Sequence, residues 1–380
     1  MRASLPISAF VAAIVGLGGT LAVIIAAAEA VGATQAQTAS WVTAICLAQA
    51  VEAAWLSWRT RIPIISAWST PGAALVAASS GFTMADAVGA FIVTALLLVA
   101  TGLFRPLTKL VSRIPASVAS GMLAGIVITF AINAARTVSL DPWLVLPLIA
   151  AFFVIRLFNP ALSVLAVLVG GGAAAFATGR IGGLPAPELS TLSLTTPEFS
   201  LAATVGLAIP LYLVTMASQN LSGLAVLRAA GYRPEAGPII TVTGLVSLVS
   251  APFNALTTNL AAISAAICTG PDAHPDPAQR WKTGPFYALA YLIFAMFGAS
   301  LVAIFDVLPQ TLIVLVAGLA LMAPLANALS IALGQDRERM AATTAFVVTA
   351  SGLTLGGIGS AFWGLIAGLA VLGLEAAKKR

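Results

Sequence analysis

Two runs of hydroxyl and amide side chains, each set just before an alanine-rich stretch, are where this chain could do chemistry. The first is Ser66-Ala67-Trp68-Ser69-Thr70, ahead of Pro71-Gly72-Ala73-Ala74. The second is Asn254-Ala255-Leu256-Thr257-Thr258-Asn259, ahead of Leu260-Ala261-Ala262. Both lie in apolar segments too short to cross a bilayer as one clean helix, which takes about 20 residues. A helix that begins in mid-membrane leaves its first N–H groups unpaired and carries about half a positive charge at that end. Hydrocarbon cannot satisfy those groups, so they must face protein or a watery cavity. Two such ends meeting would attract an anion without any basic side chain. Ser69, Thr70, Thr257, Thr258 and Asn259 would then cap the helix starts, bind a ligand directly, or do both. Pro71 suits the first turn of a helix, where its missing N–H costs nothing. Trp68, beside the first break, has two readings: a ring that stacks on a flat ligand, or ordinary core packing.

Acidic residues inside apolar segments are costly and usually functional. Glu52 lies between Trp41 and Trp58, well inside the second segment, with Gln49 three residues earlier on the same helical face. It is a candidate proton carrier; the alternative is a structural hydrogen bond to Gln49 or to a neighbouring helix. Glu29, near the end of the first segment, reads first as an end-of-helix charge and second as a proton-coupling group. Trp41 and Trp58 are expected in the interface belt at the two ends of the second segment. Gln219 and Asn220 add two amides to the eighth segment, and such groups need partners in lipid. His274 sits between Asp272 and Asp276 in a polar loop. Those ligands are too few for a metal site, so a loop-ordering or gating role is expected. Cys46 and Cys268 are isolated in apolar surroundings and read as small core residues. There is no nucleophile elbow, phosphate loop, zinc-helix motif or nucleotide fingerprint, so no cofactor and no ATP chemistry is implied. An intramembrane enzyme would need a convergent His, Cys or acid pair, which the sequence does not offer.

These residues are carried by a chain that is 60% hydrophobic and 8% charged, against about a quarter charged in soluble proteins. It reads as an all-α polytopic membrane protein. Spans are expected at about 7–28, 38–58, 64–79 (broken), 85–104, 115–135, 142–156, 160–178, 200–222, 237–251, 254–267 (broken), 284–304, 308–330, 340–355 and 357–375. With both termini in the cytoplasm, 16 of the 18 Lys and Arg residues fall inside and only Arg136 and Arg180 outside. That bias requires both broken segments to count as crossings. Seven spans per half is odd, so the second half runs inverted: repeats of 1–190 and 191–380. A gapless offset of 254 − 66 = 188 residues sets Ser66 on Asn254 and Thr70 on Thr258. Paired interrupted helices at matching places in two halves point to a secondary transporter's binding site. The net charge of +5 is therefore an orientation signal and not a nucleic-acid footprint. The polar connections Gly179–Pro197 and Thr269–Gly284 are Pro- and Gly-rich loops, with no added domain.

The stretches Ile65 to Leu75, Thr215 to Asn220 and Asn259 to His274 resemble the benzoate:proton symporter family of bacteria, and the resemblance covers essentially the whole chain. That family is similar in fold to nucleobase:cation symporters and to sulfate- and bicarbonate-type anion transporters. The resemblance implies fourteen segments in two inverted seven-helix repeats, with a short extended stretch and a half-helix in segments 3 and 10. Segments 1–4 and 8–11 (about 7–104 and 200–304) would form a core, and segments 5–7 and 12–14 (about 115–178 and 308–375) a gate. Substrate would bind between the half-helices, the first segment near Thr20 and the eighth near Gln219. Nucleobase relatives carry acids where this chain has Gln219 and Asn259. A neutral site suits an anion, and it leaves the proton carrier to Glu52 on burial alone. The expected function is secondary transport of benzoate or a related aromatic carboxylate with protons, by alternating access in a bacterial inner membrane. A homodimer is compatible with the fold. The alternatives are a nucleobase or inorganic-anion transporter on the same fold, or an anion channel.

Overall fold

The computed structural model describes residues 4–18, 20–104 and 115–378. The expected cytoplasmic charges Arg2, Arg105, Lys109, Arg113, Lys379 and Arg380 lie outside these residues. The described residues are mostly helical. In the first half come α1 (Ser4–Gly18), α2 (Leu21–Ala30), α3 (Gln35–Thr60), strand β1 (Ser66–Trp68), α4 (Thr70–Ala77), α5 (Met84–Leu103), α6 (Ala116–Leu140), α7 (Pro142–Phe158) and α8 (Ser163–Ala177). The second half holds α9 (Leu201–Ala229), α10 (Ala236–Ser250), strand β2 (Thr258–Leu260) and α11 (Ile263–Thr269), then α12 (Thr283–Met296), α13 (Gly298–Val307), α14 (Gln310–Leu333), α15 (Arg339–Ala350) and α16 (Ser360–Lys378). Among the described residues eight helices are long and apolar enough to cross a membrane, or nine with α12–α13 taken as one span bent by 60°. α7 and α8 are shorter apolar helices.

Local sequence explains the ends and the irregularities. Thr34 and Gln37 form a capping box at the start of α3, and Thr83 and Asp86 form another at α5. α9 contains two π-helical stretches, Thr204–Ala208 and Thr215–Asn220. Pro210 explains the first, because it removes the N–H that the Gly206 carbonyl would have accepted. α15 and α16 are joined by a tight turn in which Leu355 pairs with Ile358, with φ of +60° and +75° at Gly356 and Gly357; only glycine takes both values freely.

Packing sorts the helices into two groups. In the first, α12 and α13 lie along α3, α10 lies against α5 and α3, α1 packs on α11 and α12, and α2 packs on α4. In the second, α6 packs on α14, α15 and α16, and α7 packs on α8. The groups touch where α4 and α9 meet α6, where α1 meets α8, where α2 meets α14, and where α9 meets α16. Among the described residues they are joined by the long connection after α8 and by a very short one, Leu308-Pro309, between α13 and α14; the α5–α6 connection lies mostly outside these residues. The long connection is ordered. Ser193 O accepts from Ser40 Oγ and Asn254 Nδ2, Thr195 Oγ1 accepts from Gln37 Nε2, and the Glu198 N–H donates to Ala85 O. Arg180 pairs with Asp141 at the α6–α7 turn, and the guanidinium holds that carboxyl below the usual carboxylate range.

Of the fourteen expected spans, eight or nine correspond to helices long and apolar enough to cross a membrane, and two other readings are corrected. Trp41 is not an interface residue: it is fully buried and packs edge-on against Phe91 at 5.3 Å, because its face of α3 turns toward α5. Trp58 is exposed as expected. The 188-residue offset also shifts by four. Thr258 belongs to β2 and so matches Ser66 in β1 (258 − 66 = 192), whereas Thr70 opens a helix. Matching hydroxyl with hydroxyl aligned residues that do different jobs. Cys46 and Cys268 are both buried, and His274 Nδ1 accepts the Asp276 N–H in its loop.

The α3–α12 seam depends on Gly284, where a Cβ would fall 2.4 Å from Ser57 Cβ and 2.6 Å from Ala53 O. Gly284→Val should therefore destabilise the protein by about 1–3 kcal/mol through overpacking, read as a lower Tm in detergent.

Candidate functional site

The two interrupted segments meet as a small antiparallel ladder. β1 and β2 pair Ser66 with Leu260, Ala67 with Asn259 and Trp68 with Thr258. The ladder continues past the strands: the Ser69 N–H donates to Thr257 O at 3.2 Å, and the Ala261 N–H to Ile65 O at 2.9 Å. Each stretch thus satisfies backbone groups that the membrane interior could not.

The first half-helix is built as the sequence predicts. Ser69 is the N-cap of α4, its Oγ accepting the Gly72 N–H at 3.1 Å, and Pro71 lies in the first turn. Thr70 is the first helical residue and is half-buried. The second half-helix departs from expectation. Thr257, Thr258 and Asn259 do not cap α11, which starts at Ile263 with no side-chain cap, because they are drawn into the ladder instead. Asn259 nevertheless reaches the other half. With its amide oriented so that both ends are paired, the oxygen accepts from Ser69 N and the nitrogen donates to Leu260 O, each at 2.9 Å. Ser69 is also bonded from α9, by Thr215 Oγ1 at 3.1 Å.

The other predicted residues surround this crossing. Trp68 is buried, with its ring N–H on Thr20 Oγ1 at 2.6 Å and its ring edge-on to Tyr291. Thr20 in turn donates to Gly16 O at 2.6 Å, bridging the break between α1 and α2. Gln219 lies half-buried on the second π-helical stretch, which packs against β2 and α4, and its amide has no hydrogen-bond partner among the described residues. Asn220, one residue on, is fully buried and accepts the Leu260 N–H at 3.0 Å. Glu52 is fully buried on α3 and accepts from the Thr258 hydroxyl, so Thr258 faces the carboxyl group and not the α4 end. Glu29 is apart from all of these, exposed at the end of α2. Ser66, Ser69, Thr257, Thr258 and Asn259 are each 0% exposed, so the crossing is closed. A cavity of about 530 Å³ lies to one side, between α1, α8 and α12–α13, with Leu17, Leu168 and Phe294 in its walls. It is apolar almost throughout, so it offers no partner for a carboxylate.

The sequence pattern of a family described as benzoate membrane transport protein matches residues 2–374. The chain belongs to that family. An inner membrane protein of Escherichia coli, YdcO, is 43% identical over 312 residues, covering 81% of this chain and 79% of that protein. The benzoate membrane transport protein of Acinetobacter baylyi is 35% identical over 316 residues, covering 83% and 80%. Among solved structures, the transmembrane domain of the cyanobacterial bicarbonate transporter BicA superposes with a TM-score of 0.65 at 17% identity, covering 96% of this chain and 97% of that one. The anion transporter SLC26A9 superposes with a TM-score of 0.68 at 12% identity, covering 98% and 65%. At such identities these two establish the fold alone. As a member of the benzoate membrane transport protein family, this chain is a polytopic membrane transporter and not an enzyme.

For this member of the family, sequence reasoning missed Thr215, Thr243, Ser247 and Tyr287. Tyr287 donates to Ser66 O at 3.0 Å, and Ser247 Oγ accepts the Thr258 N–H at 3.0 Å. The available signal was Thr243 and Ser247 four residues apart, on one face of α10.

Asn220→Leu should leave the Leu260 N–H buried and unpaired, at a cost of about 1–3 kcal/mol. Thermal unfolding in detergent should show the loss. Ser218→Ala, which removes only a bond to Val214 O, should stay within about 0.5 kcal/mol of the parent.

Proposed function

We propose that this protein imports benzoate or a related aromatic carboxylate together with protons, by alternating access in a bacterial inner membrane. The observation that carries this reading is the meeting of two neutral polar side chains, Ser69 and Asn259, at the α4 N-terminus, with the π-helical stretch that carries Gln219 packed against α4 and β2. A carboxylate there would find N–H donors and the positive end of a half-helix, and no fixed negative charge to repel it. The named activity of the Acinetobacter relative supports the aromatic acid. Thr70 and the amides of Gln219 and Asn259 would hold the carboxylate. Opening of the crossing would bring Thr20, Trp68 and Thr257 to the substrate's edge. Glu52, the carboxyl group buried behind the ladder, would carry the proton.

The two packing groups support a core (segments 1–4 and 8–11) that moves against a gate (segments 5–7 and 12–14). Elements of one kind recur in one order in both halves, which supports fourteen segments in two inverted repeats, 1–190 and 191–380. The positive-inside count supports cytoplasmic termini, and a homodimer is consistent with the fold. A second reading is a small inorganic anion on the same fold, favoured by the likeness to the bicarbonate transporter domain and by the shut, neutral crossing.

Proteoliposomes loaded with the purified protein should take up radiolabelled benzoate saturably under an inward proton gradient. Uptake should stand above empty liposomes and collapse with a protonophore. No uptake above that control, with exchange of bicarbonate or chloride instead, would select the second reading. Within the first, Asn259→Ala should lower uptake by at least about tenfold, a loss of about 1.4 kcal/mol, while membrane expression persists.

A further inference from the structure

Behind the β1–β2 ladder, a single turn of α3 carries two orphaned acceptors. Glu52 Oε2 and Gln49 Oε1 are both buried with no hydrogen-bond partner. The two residues are fully buried and three apart, neighbours on one face of the helix. Buried acceptors without donors are rare, and each calls for an explanation. The same turn also holds both strands. Ser66 Oγ of β1 donates to Gln49 O at 3.2 Å, and the Thr258 hydroxyl of β2 donates to Glu52 Oε1. The ladder, with Ser69 and Asn259 beside it, is therefore held by the Glu52 carboxyl group and the Gln49 backbone carbonyl.

One hydrogen atom resolves both orphans. We infer that Glu52 carries a proton on Oε2 and donates it to Gln49 Oε1, making the pair the proton-sensing support of the ladder. This rests on the proton-coupled reading above and names the regulation of that same site. In the protonated state Oε1 still accepts from Thr258, Oε2–H donates to Gln49, and the Gln49 amide nitrogen keeps Ile45 O at 3.4 Å. When the proton leaves to water, two acceptors face each other. The Gln49 amide must then swing to offer an N–H, releasing Ile45 O. The bond from Thr258 becomes charge-assisted, hence shorter and stronger. Protonation is thus read at β2, one residue from Asn259.

Among the described residues no basic group pairs with Glu52; the hydroxyls of Thr258 and Ser66 face it. Glu52 is the one charged residue on α3 before Arg59, and β1, β2, α10 and α12 carry none. α10 presents Thr243 and Ser247 to Thr258, whose hydroxyl lies within 3.4 Å of Thr243 O and 3.0 Å of Ser247 Oγ. The titratable groups packed on this region are Tyr287 of α12, bonded to Ser66 O, Tyr291 of α12, whose ring meets Trp68, and the buried Cys46 of α3. Gln49 and Thr258 act as positioning residues, and Glu52 as the proton's seat.

Infrared difference spectra of the full-length protein in lipid test this without any substrate. At neutral pH the wild type should show the carbonyl band of a protonated, hydrogen-bonded carboxyl group that disappears in Glu52→Gln. In Gln49→Leu the band should move to higher frequency, as its acceptor is lost; Gln49→Met, which keeps the side-chain length, serves if Gln49→Leu fails to fold. No Glu52-dependent band at neutral pH, or a band unmoved by both Gln49 variants, would overturn the proposal. In transport, the KM for benzoate should change by up to about tenfold per pH unit in the wild type, as for one linked proton, and lie flat in Glu52→Gln. A wild-type pH profile in Glu52→Gln would likewise reject it. If the wild type exchanges no benzoate, the substrate reading fails, and the infrared result still decides the proton pair.

Discussion

A backbone that leaves the helix inside a membrane must find its hydrogen bonds within the protein, and this molecule is organised around that requirement. The chain leaves the helix in both halves at the same depth of the fold, and each departure is the other's remedy. β1 and β2 are only three residues long, a length that has no stability alone in water. Here the competing solvent is absent, so the ladder needs only geometric support. Asn220 supplies it from α9, Tyr287 from α12, Ser247 from α10, and Gln49 and Glu52 from α3. Four helices therefore converge on six residues of extended chain. That convergence gives the first packing group its internal order.

The same requirement explains the scarcity of charge. A substrate anion can be recognised by N–H groups and amides that are already needed to satisfy the backbone. Ser69 illustrates the economy: its hydroxyl caps α4 and takes a bond from Thr215, while its N–H is shared between Thr257 O and Asn259. Any ligand entering there would replace bonds that the closed protein makes to itself.

Much of this was legible from the residues. Pro71 after Ser69-Thr70 announced a helix start, and the structure has Ser69 as the cap. Burial of Glu52 followed from its place in an apolar run. Less could be read of Thr257-Thr258-Asn259. Cap, strand and ligand positions favour overlapping residue types, and the choice was made by β1, far away in sequence. Trp41 shows the same limit. Interface and core Trp look alike along one helix, and only the neighbouring Phe91 on α5 tells them apart. Thr215 was silent because a lone hydroxyl on an apolar helix bonds its own backbone equally well; its partner, Ser69, lies in the other half.

The Leu308-Pro309 connection has a mechanical consequence. At one edge of the molecule the two helix groups are separated by two residues, about 7 Å of chain at full stretch, and the proline ring removes one of the torsions that could absorb motion. The other described link, after α8, has ten residues before it first bonds the other group, where the Glu188 N–H donates to Ser300 Oγ. In any relative movement of the two groups, a corner held by two residues would travel least. Sliding of the two groups past each other as parallel blocks would tear that corner first.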